Sequence, residues 1–278
     1  MHNMKIVADS TADITCLEGF SFSSVPLKII TADKEYIDDA FANVEEMVKD
    51  LSVYKGKSST SCPNPEDWLA AFEEYDNIFC VTITGKLSCS YNAAMIAKSI
   101  YEEQHPTKKV FVINSLSAGP ELKLIIEKLA FYISQGFGFD KICQEIQEYQ
   151  KTTGLLFMLS SMKNLANNGR VSPLVAKTVG LLGIRIIGKA SDVGDLQPLD
   201  KCRGEEKALE CIVHRMQESG FNEGKVRIAH CFNEAAAQRL KEKIQSKTGD
   251  TSVEVYPCRA LCSFYAEKGG LLIGFEKK

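Results

Sequence analysis

Lys5-Ile6-Val7-Ala8-Asp9-Ser10-Thr11-Ala12-Asp13 is the stretch from which the fold is read. Its apolar run, residues 5–8, has no helical period and breaks at once into small hydrogen-bonding side chains. Such a run reads as a strand covered on both faces, with a polar loop at its carboxyl end. The pattern repeats, since residues 25–30, 78–83 and 110–113 read as further strands. Among them, residues 44–53, 68–75, 90–103, 121–134 and 140–151 read as helices. The second of these helices has a start signal in Asn64-Pro65-Glu66-Asp67. Asn64 caps, Pro65 suits the first helical position, and the two acids face the positive end of the helix. Alternation of this kind builds a parallel sheet between helical layers.

The texture changes from Leu155. Residues 155–159 and 181–187 are dense apolar runs, separated by the polar turn Asn167-Asn168-Gly169. Helices at 205–218 and 234–247 then alternate with strands near 226–229, 252–255 and 271–275. The fold class is therefore read as α/β in two domains. A parallel α/β/α domain covers 1–157 and a mixed-sheet α/β domain covers 158–278.

Composition excludes more than it names. The chain has 278 residues, 45% hydrophobic and 25% charged, with a formal net charge of −3. That supports a packed core and gives no bulk attraction to nucleic acid or an anionic membrane. No apolar stretch approaches the ~20 residues that cross a bilayer, so no stable membrane insertion is expected. Met1-His2-Asn3-Met4-Lys5 enters the first strand without the pattern of a signal peptide. A cytoplasmic, reducing setting is expected, with the ten cysteines as small buried hydrophobes. They form no C-x-x-C pair, and the four histidines, His2, His105, His214 and His230, complete no metal pattern. No metal and no cofactor are expected.

In open parallel sheets, ligands bind beyond the carboxyl ends of the strands. There this chain has Asp9-Ser10-Thr11-Ala12-Asp13, Thr82-Ile83-Thr84-Gly85-Lys86-Leu87-Ser88-Cys89-Ser90 and Asn114-Ser115-Leu116-Ser117. Ser58-Ser59-Thr60-Ser61 precedes the Asn64 helix. Each loop alone is what helix caps and turns use. Together they make a polar pocket with helix N-termini aimed into it, suited to a carboxylate or phosphate. Sharper motifs fail. Gly85-Lys86 lacks the earlier glycine of a phosphate-binding loop, Cys80 standing there, and Leu87 replaces the needed Ser or Thr. No G-x-S-x-G surrounds Ser88.

On these residues the chain resembles the DegV family of bacterial fatty-acid-binding proteins over nearly all its length. The family's D-S-[TS]-x-D stands as Asp9-Ser10-Thr11-Ala12-Asp13, and its T-S-Q-P-S as Thr60-Ser61-Cys62-Pro63-Asn64. L-S-G-T-Y stands as Leu87-Ser88-Cys89-Ser90-Tyr91, and V-I-D-S as Val112-Ile113-Asn114-Ser115. K-G-G-R-[IV] stands as Asn167-Asn168-Gly169-Arg170-Val171, and R-x-x-x-K-A as Arg203-Gly204-Glu205-Glu206-Lys207-Ala208. In place of the family's histidine before the last strand, counting back from Gly274-Phe275 puts Tyr265.

The resemblance implies a two-domain, non-enzymatic carrier with no catalytic residues. A long-chain fatty acid would thread a tunnel at or near the domain interface. Its carboxylate would meet Thr60 or Ser61, Ser88 and Tyr265, with Arg170 nearby for head-group or partner electrostatics. Cys62, Cys89, Ser90 and Ser115 would line the surroundings. The implied partner is a fatty acid kinase related to dihydroxyacetone kinases, making acyl phosphate for phospholipid synthesis. The tunnel wall is expected from residues 155–158, 181–184 and 186–187, with Gly180, Gly183 and Gly188 leaving room for the chain. Two other readings stand beside it. One is a serine-dependent acyl-transfer or ester-hydrolysing enzyme with Ser88 as nucleophile and His230 or His214 as base. The other is a regulatory module biased by acyl occupancy.

Overall fold

The computed structural model describes residues 3–73, 75–172, 183–249 and 251–277. The first part runs β1 (Met4–Asp9), a single 3-10 turn (Ser10–Ala12), β2 (Phe22–Val25), β3 (Lys28–Ile30) and β4 (Glu35–Ile37). It continues with α1 (Val44–Val53), β5 (Ser59–Ser61), α2 (Pro65–Phe72), β6 (Asn77–Thr82) and α3 (Ser90–Gln104). β7 (Lys109–Asn114), α4 (Pro120–Ser134) and α5 (Phe139–Lys151) complete it. A parallel sheet has the order β2-β1-β6-β7. All six residues of β1 are buried, as a doubly covered strand requires. Ile6 and Ala8 pack toward α4 and α5, and Val7 packs toward α2 and α3. The Asn64 signal forms a reciprocal capping box with Asp67.

The strand expected over 25–30 is two strands. Pro26 has no N–H to continue a ladder, and the Leu27 N–H donates to Ser10 Oγ at 3.0 Å. The chain therefore leaves the parallel sheet, and β3 pairs antiparallel with β4 on one side and β5 on the other. This small sheet carries no strong apolar period, and it was not legible beforehand.

The second part runs β8 (Thr153–Leu159), α6 (Lys163–Asn167), β9 (Ile184–Ala190), β10 (Leu196–Arg203) and α7 (Glu205–Glu218). Then come β11 (Lys225–His230), α8 (Glu234–Thr248), β12 (Ser252–Pro257), α9 (Ala260–Ala266) and β13 (Leu271–Glu276). Its six strands order as β10-β9-β8-β13-β11-β12, and β11–β12 is the parallel pair in an otherwise antiparallel sheet. β8 belongs whole to this sheet, so the change of sheet falls before Thr153, a few residues ahead of the 157/158 division.

β8 alternates strictly, as a pleated strand must. Leu156 and Met158 enter the core under α7 and α8, while Phe157 and Leu159 enter a separate cluster with Leu165, Ile186 and Cys262. Gly188 on β9 exists for Phe157 rather than for open space. A Cβ there would lie 2.2 Å from Phe157 Cζ and 2.7 Å from the Gln197 carbonyl oxygen. Gly183 sits in a left-handed turn at φ +79°. Gly180, Leu181 and Leu182 lie outside the described residues.

The two sheets are joined at α4. A Cβ on Gly274 of β13 would lie 2.6 Å from the Pro120 carbonyl carbon, so the backbones touch there. Beside this contact Thr153 Oγ1 donates to Glu121 Oε1 at 2.7 Å. Glu127 accepts from Arg227 Nε and Nη2, both at 2.7 Å, in a bidentate pair on a largely buried guanidinium.

Gly188→Ala is expected to destabilise the protein by about 1–3 kcal/mol, the usual cost of overpacking. The Phe157 ring would have to leave its place, and the Gln197 carbonyl cannot yield. Denaturant melts of the two proteins check this.

Candidate functional site

The site is built outward from Asp9, at the carboxyl end of β1. The Asp9 carboxylate has no exposure and accepts four hydrogen bonds. Oδ1 takes Thr11 N at 3.2 Å and Thr11 Oγ1 at 2.5 Å; Oδ2 takes Ile83 N at 2.9 Å and Ser90 Oγ at 2.6 Å. Burial raises its pKa against these donors. The Ser90 bond fixes the first turn of α3, and Ser88 and Cys89 follow from it. Ser90 N donates to Ser88 Oγ at 3.2 Å, which leaves the Ser88 O–H free to donate elsewhere.

Facing this turn are Thr60, Ser61 and Cys62 at the end of β5. Thr60 Oγ1 and Tyr265 Oη lie 2.7 Å apart. Burial pushes the Tyr265 phenol up, so it remains a protonated donor at neutral pH. Tyr265 is carried on α9, whose start is held by two buried carboxylates. Asp38 accepts from Ala260 N at 3.0 Å and Leu261 N at 3.2 Å, and Asp13 Oδ1 accepts from Arg259 N at 2.9 Å.

These elements enclose a cavity of about 260 Å³. Its wall is apolar, with Phe157, Leu155 and Leu159 from one face of β8 and Leu87, Leu196 and Leu272 around them. Its polar lining includes Thr60, Ser61, Ser88, Tyr265 and Arg170. Arg170 Nε donates to the Leu87 carbonyl at 3.1 Å and Nη1 to the Asn168 carbonyl at 2.7 Å. Its guanidinium carbon stands 5.7 Å from the centre of the Tyr265 ring. Among the described residues Arg170 pairs with no carboxylate, and the described lining has no Asp, Glu, His or Lys. The chamber is therefore greasy, with hydroxyl donors and one cation.

Of the residues singled out from sequence, Thr60, Ser61, Cys62, Ser88, Cys89, Arg170 and Tyr265 line this cavity. Ser90 does not, because its hydroxyl is committed to Asp9 and it is fully buried. Ser115 does not either. It closes a turn with Ser117 and faces a separate cleft beside Glu121 and Gln150. Of the expected wall, Leu156, Met158 and Ile187 face the opposite core, for the pleat turns them away. Cys262 and Leu261 on α9 and Leu27 after the Pro26 break line the cavity and were not foreseen. No apolar period marks those short segments.

Cys62 and Cys89 correct the expectation that the cysteines are separate packing thiols. They form a disulfide, their Cα atoms 5.9 Å apart across 27 residues of sequence. Folding brings the end of β5 against the start of α3, within bridging reach. The other eight cysteines are free, with Cys16 exposed and Cys80, Cys231, Cys258 and Cys262 buried. His230 closes β11 with Nδ1 unbonded and its pKa lowered by burial, and His214 pairs with Glu218 on the exposed face of α7. Neither lines the cavity.

A family model described as "Uncharacterised protein, DegV family" matches residues 3–278. The chain belongs to the DegV family. A DegV domain-containing protein of Streptococcus pneumoniae is 44% identical over 276 residues, covering 98% of each chain. The Fatty Acid Kinase (Fak) B3 protein of S. pneumoniae, solved loaded with linoleic acid, is 43% identical with TM-score 0.98, over 100% of both chains. A DegV family protein of Eubacterium eligens loaded with heptadecanoic acid is 43% identical with TM-score 0.97, over 99% of this chain and 100% of that one. The DegV architecture seen here, a parallel four-stranded sheet beside a mixed six-stranded one, matches theirs. Among the described residues of this DegV chain, no helix is long and apolar enough to cross a membrane, and no cluster of three or more His, Cys, Asp or Glu is arranged to hold a metal.

The two carboxylates at α9 make a pH dependence that can be measured. Burial, then the charge of Asp38, pushes Asp13 up to about 7. Its folded pKa exceeds its unfolded one, so the folded state holds the extra proton. The associated stability is full below the unfolded pKa and is lost as pH rises through about 7. Asp13→Asn is expected to remove this part of the decline between pH 4 and pH 7, roughly the window between the two pKa values. Urea melts across that range, compared with the unaltered protein, read the difference.

Proposed function

We propose that this chain is a fatty-acid carrier. A long-chain fatty acid lies in the cavity with its hydrocarbon against Leu155, Phe157 and Leu159. Its carboxylate meets Thr60, Ser61, Ser88 and Tyr265, with Arg170 supplying positive charge. The observation that carries this reading is the composition of the chamber: apolar walls, hydroxyl donors, one guanidinium and no acid in its described lining. A carboxylate left unpaired in such a wall would be costly, and these groups are the donors that prevent it. Fatty acids bound in the S. pneumoniae and E. eligens relatives support it.

Energetics permit it. Burial of roughly 15 methylenes offers on the order of 12 kcal/mol gross. Association costs remove an estimated ~4–15 kcal/mol of the gross gain, so the head-group contacts set orientation and ligand class as much as affinity. The chain would act in the cytoplasm and hand its guest to a fatty acid kinase, a partner supported by the S. pneumoniae relative's designation as a fatty acid kinase protein; the dihydroxyacetone-kinase-like type rests on the family resemblance alone. Nothing in this reading requires a cofactor. A Ser88 nucleophile would need a base within hydrogen-bond reach, and the cavity's described lining includes neither His214 nor His230.

Solvent extraction and mass spectrometry of the purified protein are expected to release long-chain fatty acid, close to one per chain. No fatty acid, together with no uptake on addition, would overturn the reading. Ser88→Ala is expected to weaken binding by about 1–3 kcal/mol, the cost of an unsatisfied carboxylate oxygen. Equal affinity by calorimetry would confine Ser88 to its turn with Ser90.

A further inference from the structure

The Cys62–Cys89 disulfide lies where the two hydroxyl-bearing segments meet. Ser61 is the chain neighbour of Cys62, Ser88 is the neighbour of Cys89, and all four residues line the cavity. Cys89 is exposed and stands at the N-cap position of the 15-residue helix α3, while Cys62 is half-buried. The two sides are held unequally. The α3 side is anchored through Ser90 to Asp9 at 2.6 Å. The β5 side is a three-residue edge strand, paired on one side to β3. The disulfide is the covalent tie between this weak side and the anchored one.

We propose that this disulfide is a reducible clasp on the mouth of the cavity, opened by a dithiol reductant. The proposal rests on the carrier reading for its consequence, though not for its chemistry. A thiolate of the reductant attacks the exposed Cys89 Sγ, the Cys62–Cys89 bond breaks, and Cys62 departs as thiolate and takes up a proton. The second thiol of the reductant then attacks its own sulfur in the mixed disulfide. Cys89 leaves as thiolate at the positive end of α3, which favours that charge, and is protonated in turn. Two electrons and two protons pass from the dithiol to the protein, and the reductant ends as a disulfide.

With the clasp closed, Thr60, Ser61 and Ser88 face one another across a fixed gap, so their geometry is set before a guest arrives. With it open, residues 59–61 keep their pairing with β3, and the segment 59–64 loses its tie to α3. The α3 side stays, because Ser90 still holds Asp9. Guest retention becomes a function of thiol state.

The test compares the protein before and after treatment with a dithiol, alongside Cys62→Ala/Cys89→Ala and a Cys16→Ala control. Intact mass is expected to rise by about 2 Da on reduction, one hydrogen for each sulfur. Hydrogen exchange is expected to quicken at 59–64 and to change little at 90–97. Palmitate dissociation is expected to be about tenfold faster, equivalent to ~1.4 kcal/mol. The double variant should behave as reduced under both conditions, and the Cys16 control should respond as the unaltered protein does. Unchanged exchange at 59–64 after the mass shift overturns the clasp, as does a mass that does not change. Quickened exchange with unchanged palmitate dissociation overturns its role in guest retention. Quickened exchange in a protein that binds no palmitate in either state upholds the clasp and overturns the carrier reading.

Discussion

The buried carboxylate of Asp9 is the constraint on which the site's geometry depends. It ends β1, so its place is set by the most deeply covered strand of the parallel sheet. Its two oxygens then bind the loop after β1, the end of β6 and the first turn of α3. A carboxylate stripped of water is tolerated when donors surround it. Here the same donors that satisfy it are the ends of three segments that must converge. Deleting the carboxylate would orphan Ile83 N and Ser90 Oγ together and untie the first turn of α3 from the end of β1, though the apolar face of α3 still packs on the sheet.

The second constraint is the division of labour along β8. Its pleat sends alternate residues to opposite faces, so one strand serves both as core for α7 and α8 and as wall for the cavity. The core face can be packed for stability while the other is left facing a void. That void persists because its surroundings are fixed independently. α9 is tethered by Asp13 and Asp38, Phe157 is seated over Gly188, and α4 joins the sheets on the far side.

Much of this was readable from the chain. The long apolar strands and capped helices were legible, because periodicity over many residues averages out local accidents; the helix over 205–218 matches to the residue. Thr60 and Ser88 stand out in the hydroxyl-rich loops, and the family resemblance points to Arg170 and Tyr265. What was not legible has physical causes. The β3-β4-β5 sheet and α9 are too short to show a period, and Pro26 rather than hydropathy divides β2 from β3. Ser90 reads as a lining residue because sequence shows which side chains donate, not where they point. The disulfide depends on a meeting of two segments 27 residues apart, and spacing does not reveal such a meeting.

The contact at Gly274 has a consequence for traffic. Where strand backbone rests on helix backbone, with Glu127 and Arg227 locked beside it, the described parts of the two halves are held face to face and resist parting like a clamshell. On the carrier reading, a guest would then enter and leave lengthwise, each carbon following the last past the polar rim. Transit time would grow with the length of the guest even where its affinity did not. Exchange would be governed by the rim and not by any wholesale opening of the molecule.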